Sequence, residues 1–333
     1  MDITLKITHC LKVLILALIF IVTGCQQSAH ETESIKLYKN KEYEKALPLL
    51  KSDAENGNAE AQFYLGSLYA NGYGIKRDDK KALFWYLKSA EKDNPDAENA
   101  LGKVYFNGFL GLNKNRAKAF EWYKKAAEMG FAAAQFNLGL FYEKGFGGPE
   151  DINIAIQWFR QSAKKQYPKA EAKMAYLAAT GKGTKQSFVE AMKWYRSAAE
   201  HGNINAFSEI GIMYEEGYGV KKNKNRAVQY YIMGAEKGNA KAQYLLGHAY
   251  HYGRGIKDDP ERALYWYRKS AEQGNADALQ ALGGIYVHGL LNQKEDRAKG
   301  ENYIEKAISI RRQTGQRDPA AMRRLRLLGI DPD

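Results

Sequence analysis

Apolar and small residues recur along most of this chain at the spacing of an amphipathic helix, and the whole pattern then repeats. The segment Ala61–Gly66 has six counterparts, at steps of 36 or 37 residues. The counterparts begin at Ala97, Ala134, Ala170, Ala206, Ala242 and Ala278. Self-similarity at this period predicts a solenoid, in which each repeat stacks on its neighbours because it cannot bury its apolar face alone.

Each repeat contains two helical patterns, which we name helix A and helix B. In the first repeat, helix A is predicted over about Ala59–Asn71 and helix B begins near Lys80. A glycine follows helix A in every repeat, where a left-handed residue can satisfy the last carbonyls of the helix. These glycines are Gly72, Gly108, Gly145, Gly181, Gly217, Gly253 and Gly289. A second glycine comes two residues later in five repeats, at Gly74, Gly147, Gly183, Gly219 and Gly255.

Large aromatic residues also recur at one phase of helix B. Trp85 has tryptophan or tyrosine counterparts in all later repeats, which predicts that this position packs in the core. Glycine occurs within helix A at Gly66 and its equivalents, where we expect it to allow close approach of two helices. Ala175 replaces this glycine in the fourth repeat. Outside the repeats, residues 33–58 predict N-terminal capping helices, and residues 310–333 predict a C-terminal capping helix, begun at Asp318-Pro319, and a tail.

The repeat pattern A-x-Q-x-x-L-G-x-x-Y-x-x-G-x-G, followed by A-x-x-W-Y-x-x-A-A-x-x-G, covers about residues 59–309. It resembles the Sel-1-like repeat, a subfamily of the tetratricopeptide class. The resemblance implies an all-α, right-handed α/α superhelical solenoid of about seven helix-turn-helix repeats with capping helices. It also implies a scaffolding or adaptor role, which in bacteria extends to the envelope and to host contact, without naming a partner.

The first 25 residues do not follow the repeat. Val13–Val22 is almost wholly apolar, follows Lys6 and Lys12, and is too short to span a bilayer. The segment Val22-Thr23-Gly24-Cys25 resembles the lipobox of bacterial lipoproteins, which implies lipid on Cys25. An ordinary signal peptide is the alternative.

On the lipoprotein interpretation, residues 1–24 form a signal peptide and residues 25–32 an anchor linker. Gln26 after the cysteine favours the outer membrane, with the protein facing the periplasm or the cell surface. One acylated terminus anchors the chain, so the remainder should be soluble. The only other cysteine is Cys10, so the mature chain should have no disulfide.

The net charge of +12 would suit nucleic acid, anionic lipid or acidic glycans. The lysines and arginines are spread over loops and outer helix faces, which favours a solvated surface. An exported chain has little access to nucleic acid, so no nucleic-acid partner is expected.

Two local patterns deserve a chemical test. Ser89–Lys92 and Ser162–Lys165 match the S-x-x-K spacing of serine β-lactamases, but S-D-N and K-T-G are absent from the sequence. His248 and His251 lie one helical turn apart, yet no suitably spaced third ligand accompanies them. We therefore expect no enzyme activity, no metal and no cofactor; β-lactam hydrolysis is the weakest of three functional hypotheses.

In tetratricopeptide relatives the inner wall of the superhelix comes from helix A positions that do not pack. The resemblance carries this role to a set of candidate groove residues: Asn99, Lys103, Phe106, Phe136, Leu140, Glu143, Tyr176, Lys241, Tyr244, His248, His251 and Tyr252. Aromatic residues beside charges predict a peptide-binding surface, although plain solvent-exposed residues are the alternative.

The leading hypothesis is therefore a non-catalytic, lipid-anchored scaffold of the bacterial cell envelope that binds a protein or peptide through its concave face. The second hypothesis is an envelope factor associated with peptidoglycan or an acidic glycan. Salt separates the two, because a polymer held by charge is released as ionic strength rises.

Overall fold

The structure is a computed structural model that describes residues 31–315, and this part of the chain contains sixteen α-helices and no strand. Two helices, α1 (Glu33–Lys39) and α2 (Tyr43–Glu55), precede the repeats. The A helices are α3 (Ala59–Asn71), α5 (Pro95–Asn107), α7 (Ala132–Lys144), α9 (Pro168–Thr180), α11 (Ile204–Glu216), α13 (Ala240–Tyr252) and α15 (Ala276–Val287). The B helices are α4 (Asp79–Ala90), α6 (Arg116–Glu128), α8 (Ile152–Lys164), α10 (Phe188–Glu200), α12 (Lys224–Glu236), α14 (Pro260–Glu272) and α16 (Arg297–Thr314). The all-α prediction is confirmed.

Some predictions fall beyond these residues. The signal peptide, Cys25, Gln26 and the helix expected at Asp318-Pro319 lie outside the described residues. Two helices, α1 and α2, occupy the place of the expected N-terminal caps. Between residues 31 and 315, no helix is long and apolar enough to cross a membrane.

Side-chain caps and glycines set the helix ends. Asn58 Oδ1 accepts from the Ala61 N–H (2.8 Å) at the start of α3, and Asp78 Oδ1 accepts from the Lys81 N–H (3.0 Å) at the start of α4. Gly72 ends α3 with φ at 71°, where a residue with a Cβ would be strained. Similar caps recur at most later helices, although α7 and α9 begin without a side-chain cap.

A ring lies against the central glycine of most A helices. A Cβ on Gly139 would come within 2.6 Å of Phe159 Cε1, and one on Gly66 within 2.8 Å of Tyr86 Cδ1. These rings are buried, whereas the tryptophan one residue earlier is only half-buried. The tryptophans pack against the core as predicted, but at its edge, and the buried ring is the next residue of helix B. The predicted close approach at the glycine is confirmed, and the buried ring of helix B is what approaches.

The second glycine serves the loop between helices A and B. A Cβ on Gly219 would meet the carbonyl carbon of Phe188 at 2.5 Å, because the loop crosses the start of the preceding B helix. Two repeats have leucine at this position, and both leucines keep the left-handed backbone: φ is 55° at Leu110 and 52° at Leu291. Such a conformation costs a residue with a side chain about 1–2 kcal/mol.

The helices form two compact units, divided between Ala126 and Ala127 within α6. The core of the N-terminal unit includes Ile35, Leu50, Leu65, Leu68 and Leu101. In the C-terminal unit, consecutive helices from α7 onward pack into cores that include Phe159, Ile210, Tyr231, Leu246 and Tyr267.

Candidate binding face on the A helices

The S-x-x-K serines hold helices together. Ser89 Oγ donates to the Ala59 carbonyl (2.6 Å) and Ser162 Oγ to the Ala132 carbonyl (2.6 Å), and both serines are fully buried. Lys92 donates to the Gly57 carbonyl (2.5 Å) and Lys165 to the Gly130 carbonyl. Each pair thus joins the end of a B helix to the start of its A helix, and no serine oxygen is exposed for attack on a substrate.

The candidate residues of the C-terminal unit lie on its A helices. We name this set the C-terminal wall: Phe136, Leu140 and Glu143 on α7, Tyr176 on α9, and Lys241, Tyr244, His248, His251 and Tyr252 on α13. Phe136 and Leu140 are half-buried, and the Phe136 ring centroid lies 5.7 Å from that of Phe159 in the core. Phe136 therefore supports the fold as well as the surface.

Glu143 is buried, with 3% of its side chain exposed, and forms two ion pairs. Lys173 Nζ lies 2.6 Å from Oε2, and Lys182 Nζ lies 3.0 Å from Oε1. Burial raises the pKa of Glu143, but hydrogen bonds from the two lysines outweigh burial and hold the pKa below its ordinary value. Glu143 thus connects α7 to α9 and the residues that follow α9 through ion pairs.

Tyr176 is 47% exposed on α9. The Nζ of Lys173 lies 5.3 Å from the centroid of its ring, within the range of a cation–π contact. The ring is thereby oriented without being covered, which leaves an aromatic surface for a partner.

A second aromatic cluster lies on α13. Tyr252 is 58% exposed, and its ring stacks on that of His251 with centroids 4.1 Å apart and an interplanar angle of 16°. The His248 ring centroid is 4.6 Å from that of Tyr252. His251 Nδ1 lies 3.3 Å from the buried Tyr267 Oη, and half-buried Tyr244 contacts the same ring. The histidines thus orient the exposed tyrosine.

Burial lowers the pKa of both histidines, and in His248 the positive charge of Arg254 lowers it further. Both imidazoles are therefore mainly neutral at pH 7, which is the form in which a histidine binds a metal ion. Within residues 31–315, however, no group of three histidine, cysteine or acidic side chains is placed to hold a metal ion. The geometry supports stacking against Tyr252.

Ion pairs between consecutive repeats involve charged side chains on and beside the C-terminal wall. Lys241 Nζ lies 2.7 Å from Glu209 Oε1, and an Arg254 guanidinium nitrogen lies 3.8 Å from Glu215 Oε1. Glu215 also accepts from the buried Tyr231 hydroxyl at 2.6 Å. Lys241 and Arg254 thus already have carboxylate partners, whereas the exposed rings of Tyr176 and Tyr252 remain open to a partner.

Sequence reasoning missed Lys173, Lys182, Glu215 and Arg254. A signal existed: Lys182 follows Glu143 by 39 residues, and the same acid-to-cation spacing joins Glu215 to Arg254 two repeats later. A search for acid-to-cation pairs 39 residues apart would have found both.

The candidate residues of the N-terminal unit are on α5. Asn99 is buried, Phe106 is half-buried and Lys103 is exposed. Each takes part in interactions within the protein. Of the three, Lys103 presents the most surface, and it borders a cavity.

The family model of the Sel1 repeat matches residues 59–94, 95–131, 132–167, 168–203, 208–239, 240–275 and 276–309. The chain is similar to a Sel1 repeat protein of Oxalobacter formigenes, with 45% identity and a TM-score of 0.68 over 75% of this chain and 96% of that one. It is also similar to c5321, a protective antigen present in uropathogenic Escherichia coli strains and displaying an SLR fold. The identity is 32% and the TM-score 0.59, over 79% of this chain and 64% of that one.

A shorter match is to the Sel1-repeat-containing protein YjcO of Escherichia coli K12, with 53% identity over 51 residues. That match spans 14% of this chain and 22% of the relative, so the chain covers about a fifth of the length of this curated protein.

Proposed function

Because this chain belongs to the Sel1 repeat family, whose members are typically protein-interaction scaffolds, we propose that it is a non-catalytic scaffold of the bacterial cell envelope. In this proposal, lipid on Cys25 anchors the chain, and the C-terminal wall binds a protein partner. The wall corresponds to the concave face expected of the superhelix.

The observation that carries the binding proposal is the exposure of Tyr176 and Tyr252. Both project from A helices, and both are held in place by neighbours, Lys173 in one case and His251 in the other. Tyrosine contributes strongly at protein interfaces, because it buries a large area with few rotatable bonds and carries a polar hydroxyl. Two oriented, exposed tyrosines fit an interface.

Paired charge argues in the same direction. Glu143, Glu209 and Glu215 each face a cation of a later repeat. A surface whose charges are already paired has less to gain from an acidic polymer than a surface of unpaired lysines would. A protein partner anchored by aromatic rings is therefore favoured over an acidic glycan.

The envelope location rests on the sequence of the first 25 residues. A basic start, a short apolar run and the lipobox-like Val22–Cys25 follow in the order that bacterial lipoproteins use. The similar protein c5321 is described as a protective antigen, and that description supports an envelope role in this proposal.

Capture of a partner from envelope extracts of the source cells tests the binding proposal. The wild-type chain and a Tyr176→Ala/Tyr252→Ala variant are compared, and the partner is identified by mass spectrometry. We expect the variant to lose the partner and to keep its helical circular dichroism. The matched control is Phe84→Ala/Tyr265→Ala, which removes two rings that are each 51% exposed on B helices.

Loss of the partner from the control, with retention by the wall variant, would place binding on the B helices and refute the proposal. Release of the partner by moderate salt alone would instead favour the charge-driven glycan hypothesis.

A further inference from the structure

The N-terminal unit contains a cavity of about 530 Å³ between α3 and α5. Its volume lies within the range of cavities that hold small ligands or large side chains. We name it the α3–α5 cavity. Its apolar lining includes Phe63 on α3 and the buried ring of Tyr86 on α4. Phe109, which is 57% exposed, stands at its border.

The charge of the α3–α5 cavity is of one sign. The ionisable residues that line it are Arg77, Lys103 and Tyr86, and no carboxylate is among the lining residues. Burial raises the pKa of the Tyr86 phenol, so that group is neutral. The cavity therefore joins an apolar floor to two cations.

Both cations can bind a further carboxylate while keeping their present contacts. Arg77 Nε and one terminal nitrogen donate to Asp79 at 2.7 and 3.2 Å, but a guanidinium has five donor hydrogens. Lys103 interacts within the protein, and its ammonium has three donor hydrogens. The inference does not require either group to be unpaired.

One residue that lines the α3–α5 cavity has a strained backbone. Leu110 lines the cavity and has a φ of 55°, at the position where five other repeats have glycine. Its side chain is buried, which holds the loop in this conformation beside the exposed Phe109. Residues held in strained conformations cluster at binding sites, because the surrounding structure must fix them.

We propose that the α3–α5 cavity binds an extended peptide segment in which a large apolar side chain adjoins a carboxylate. The apolar side chain enters between Phe63 and Phe109, and the carboxylate meets Lys103 and Arg77. The inference rests on the proposed scaffold function in that the ligand is a protein segment, but it concerns a site formed by other residues than the C-terminal wall.

The test uses the purified full chain and a phage-displayed library of random linear peptides. The strongest binders are synthesised, and their affinities are measured by fluorescence anisotropy. We expect the selected peptides to share an aspartate or glutamate next to phenylalanine, tryptophan or leucine. Phe109→Ala should weaken their binding about tenfold, and Lys103→Gln about threefold, since an aromatic anchor contributes more than an exposed ion pair.

Matched controls remove the same chemistry from B helices. Phe84→Ala deletes another exposed phenylalanine, and Lys124→Gln another exposed lysine. Neither should change the affinity. Circular dichroism should show that all four variants keep their helices, because every substituted side chain is exposed.

Three results would overturn the inference. The first is that the selected peptides lack an acidic residue next to an apolar one. The second is that they bind both cavity variants as tightly as they bind the wild type. The third is that a free aromatic acid, such as indole-3-propionate, competes as strongly as the peptide. Retention of the peptides by Tyr176→Ala/Tyr252→Ala is expected. Loss of the peptides from that variant alone would refute the cavity while leaving the scaffold function intact.

Discussion

Substituting Gly139 by alanine tests the contact between the A-helix glycine and the B-helix ring. The new Cβ would lie 2.6 Å from Phe159 Cε1, 2.7 Å from Cδ1 and 3.1 Å from Cζ. An ordinary carbon–carbon contact is about 3.5 Å, so the ring or the helix must move by about 1 Å. Phe159 is fully buried, so the ring has no free space to enter.

Two effects of this substitution oppose each other. Alanine within a helix is favoured over glycine by about 1 kcal/mol. Overpacking a filled core costs about 1–3 kcal/mol. Because the contacts reach three atoms of one rigid ring, we expect the second effect to win and Gly139→Ala to destabilise the protein by about 1–2 kcal/mol.

The chain offers a control in α15. Gly284 is also helical, but a Cβ there would meet nothing within 4 Å. Gly284→Ala should therefore stabilise the protein by up to about 1 kcal/mol. The two variants make the same chemical change and should have opposite signs.

Hydrogen exchange is the appropriate assay, because unfolding of a repeat protein need not be two-state. The stability of each repeat depends mainly on its contacts with the neighbouring repeats, and hydrogen exchange measures stability locally. Protection should fall in α7 and α8 of Gly139→Ala. Phe159→Ala should cost about 3–5 kcal/mol alone, and adding Gly139→Ala to it should cost nothing further, because the ring is gone. Equal or greater protection in the single glycine variant would refute the account of the close contact.

Four further predictions follow from single residues. Ala175→Gly makes the opposite substitution at the glycine phase of the fourth repeat and should lower the stability of α9 by about 1 kcal/mol in hydrogen exchange, because glycine is a poorer helix former than alanine. Glu143→Gln should reduce stability at neutral pH: the folded pKa is lowered, so the carboxylate stabilises above its ordinary pKa of 4.5, and the difference from wild type should fade as the pH drops further. Glu98→Gln should raise stability at neutral pH, since burial raises the pKa of Glu98 by more than the ammonium of Lys125, 2.8 Å away, lowers it, and the gain should shrink as the pH falls through that pKa. Cys25→Ser should leave an unprocessed or soluble chain on cell fractionation; a mutant that is still processed and membrane-bound would contradict lipid attachment.

The helix boundaries followed closely from the sequence. Helix A of the first repeat was predicted over Ala59–Asn71, which are the bounds of α3, and helix B was predicted one residue after the start of α4. This precision has a local cause: Asn58 caps the start of α3, Asp78 caps the start of α4, and Gly72 accommodates the left-handed end of α3. Such signals act within a few residues, so they can be read without knowing the tertiary structure.

The identity of the core ring could not be read in the same way. Trp85 and Tyr86 recur together, and both have the size and periodicity of core residues. Adjacent residues on a helix point about 100° apart, so only one can face the glycine of helix A. Which one does so depends on how the two helices are rotated against each other, and that rotation is a tertiary property.

The candidate binding residues were chosen by the phase of the A helices, and their role in binding stays a prediction. Of the residues chosen in this way, Tyr176 and Tyr252 are exposed, whereas Asn99 and Glu143 are buried. Burial of Glu143 results from lysines of the next repeat, whose long side chains reach across by a distance that helix phase does not encode. Leu110 and Leu291 were equally unpredictable, because leucine disfavours the left-handed backbone that both adopt.

The contact between the A-helix glycine and the ring of helix B has an evolutionary consequence. It forms within single repeats, between residues that do not belong to the C-terminal wall. Phe136 and Tyr244 pack on the same core rings and are tied to the frame, whereas the exposed tyrosines of the wall are not. Tyr176 and Tyr252 can drift to other side chains without a change at Gly139 or Phe159. A lineage that inherits this frame can therefore exchange one partner for another through substitutions that leave folding untouched, and related chains should differ most where they meet their partners.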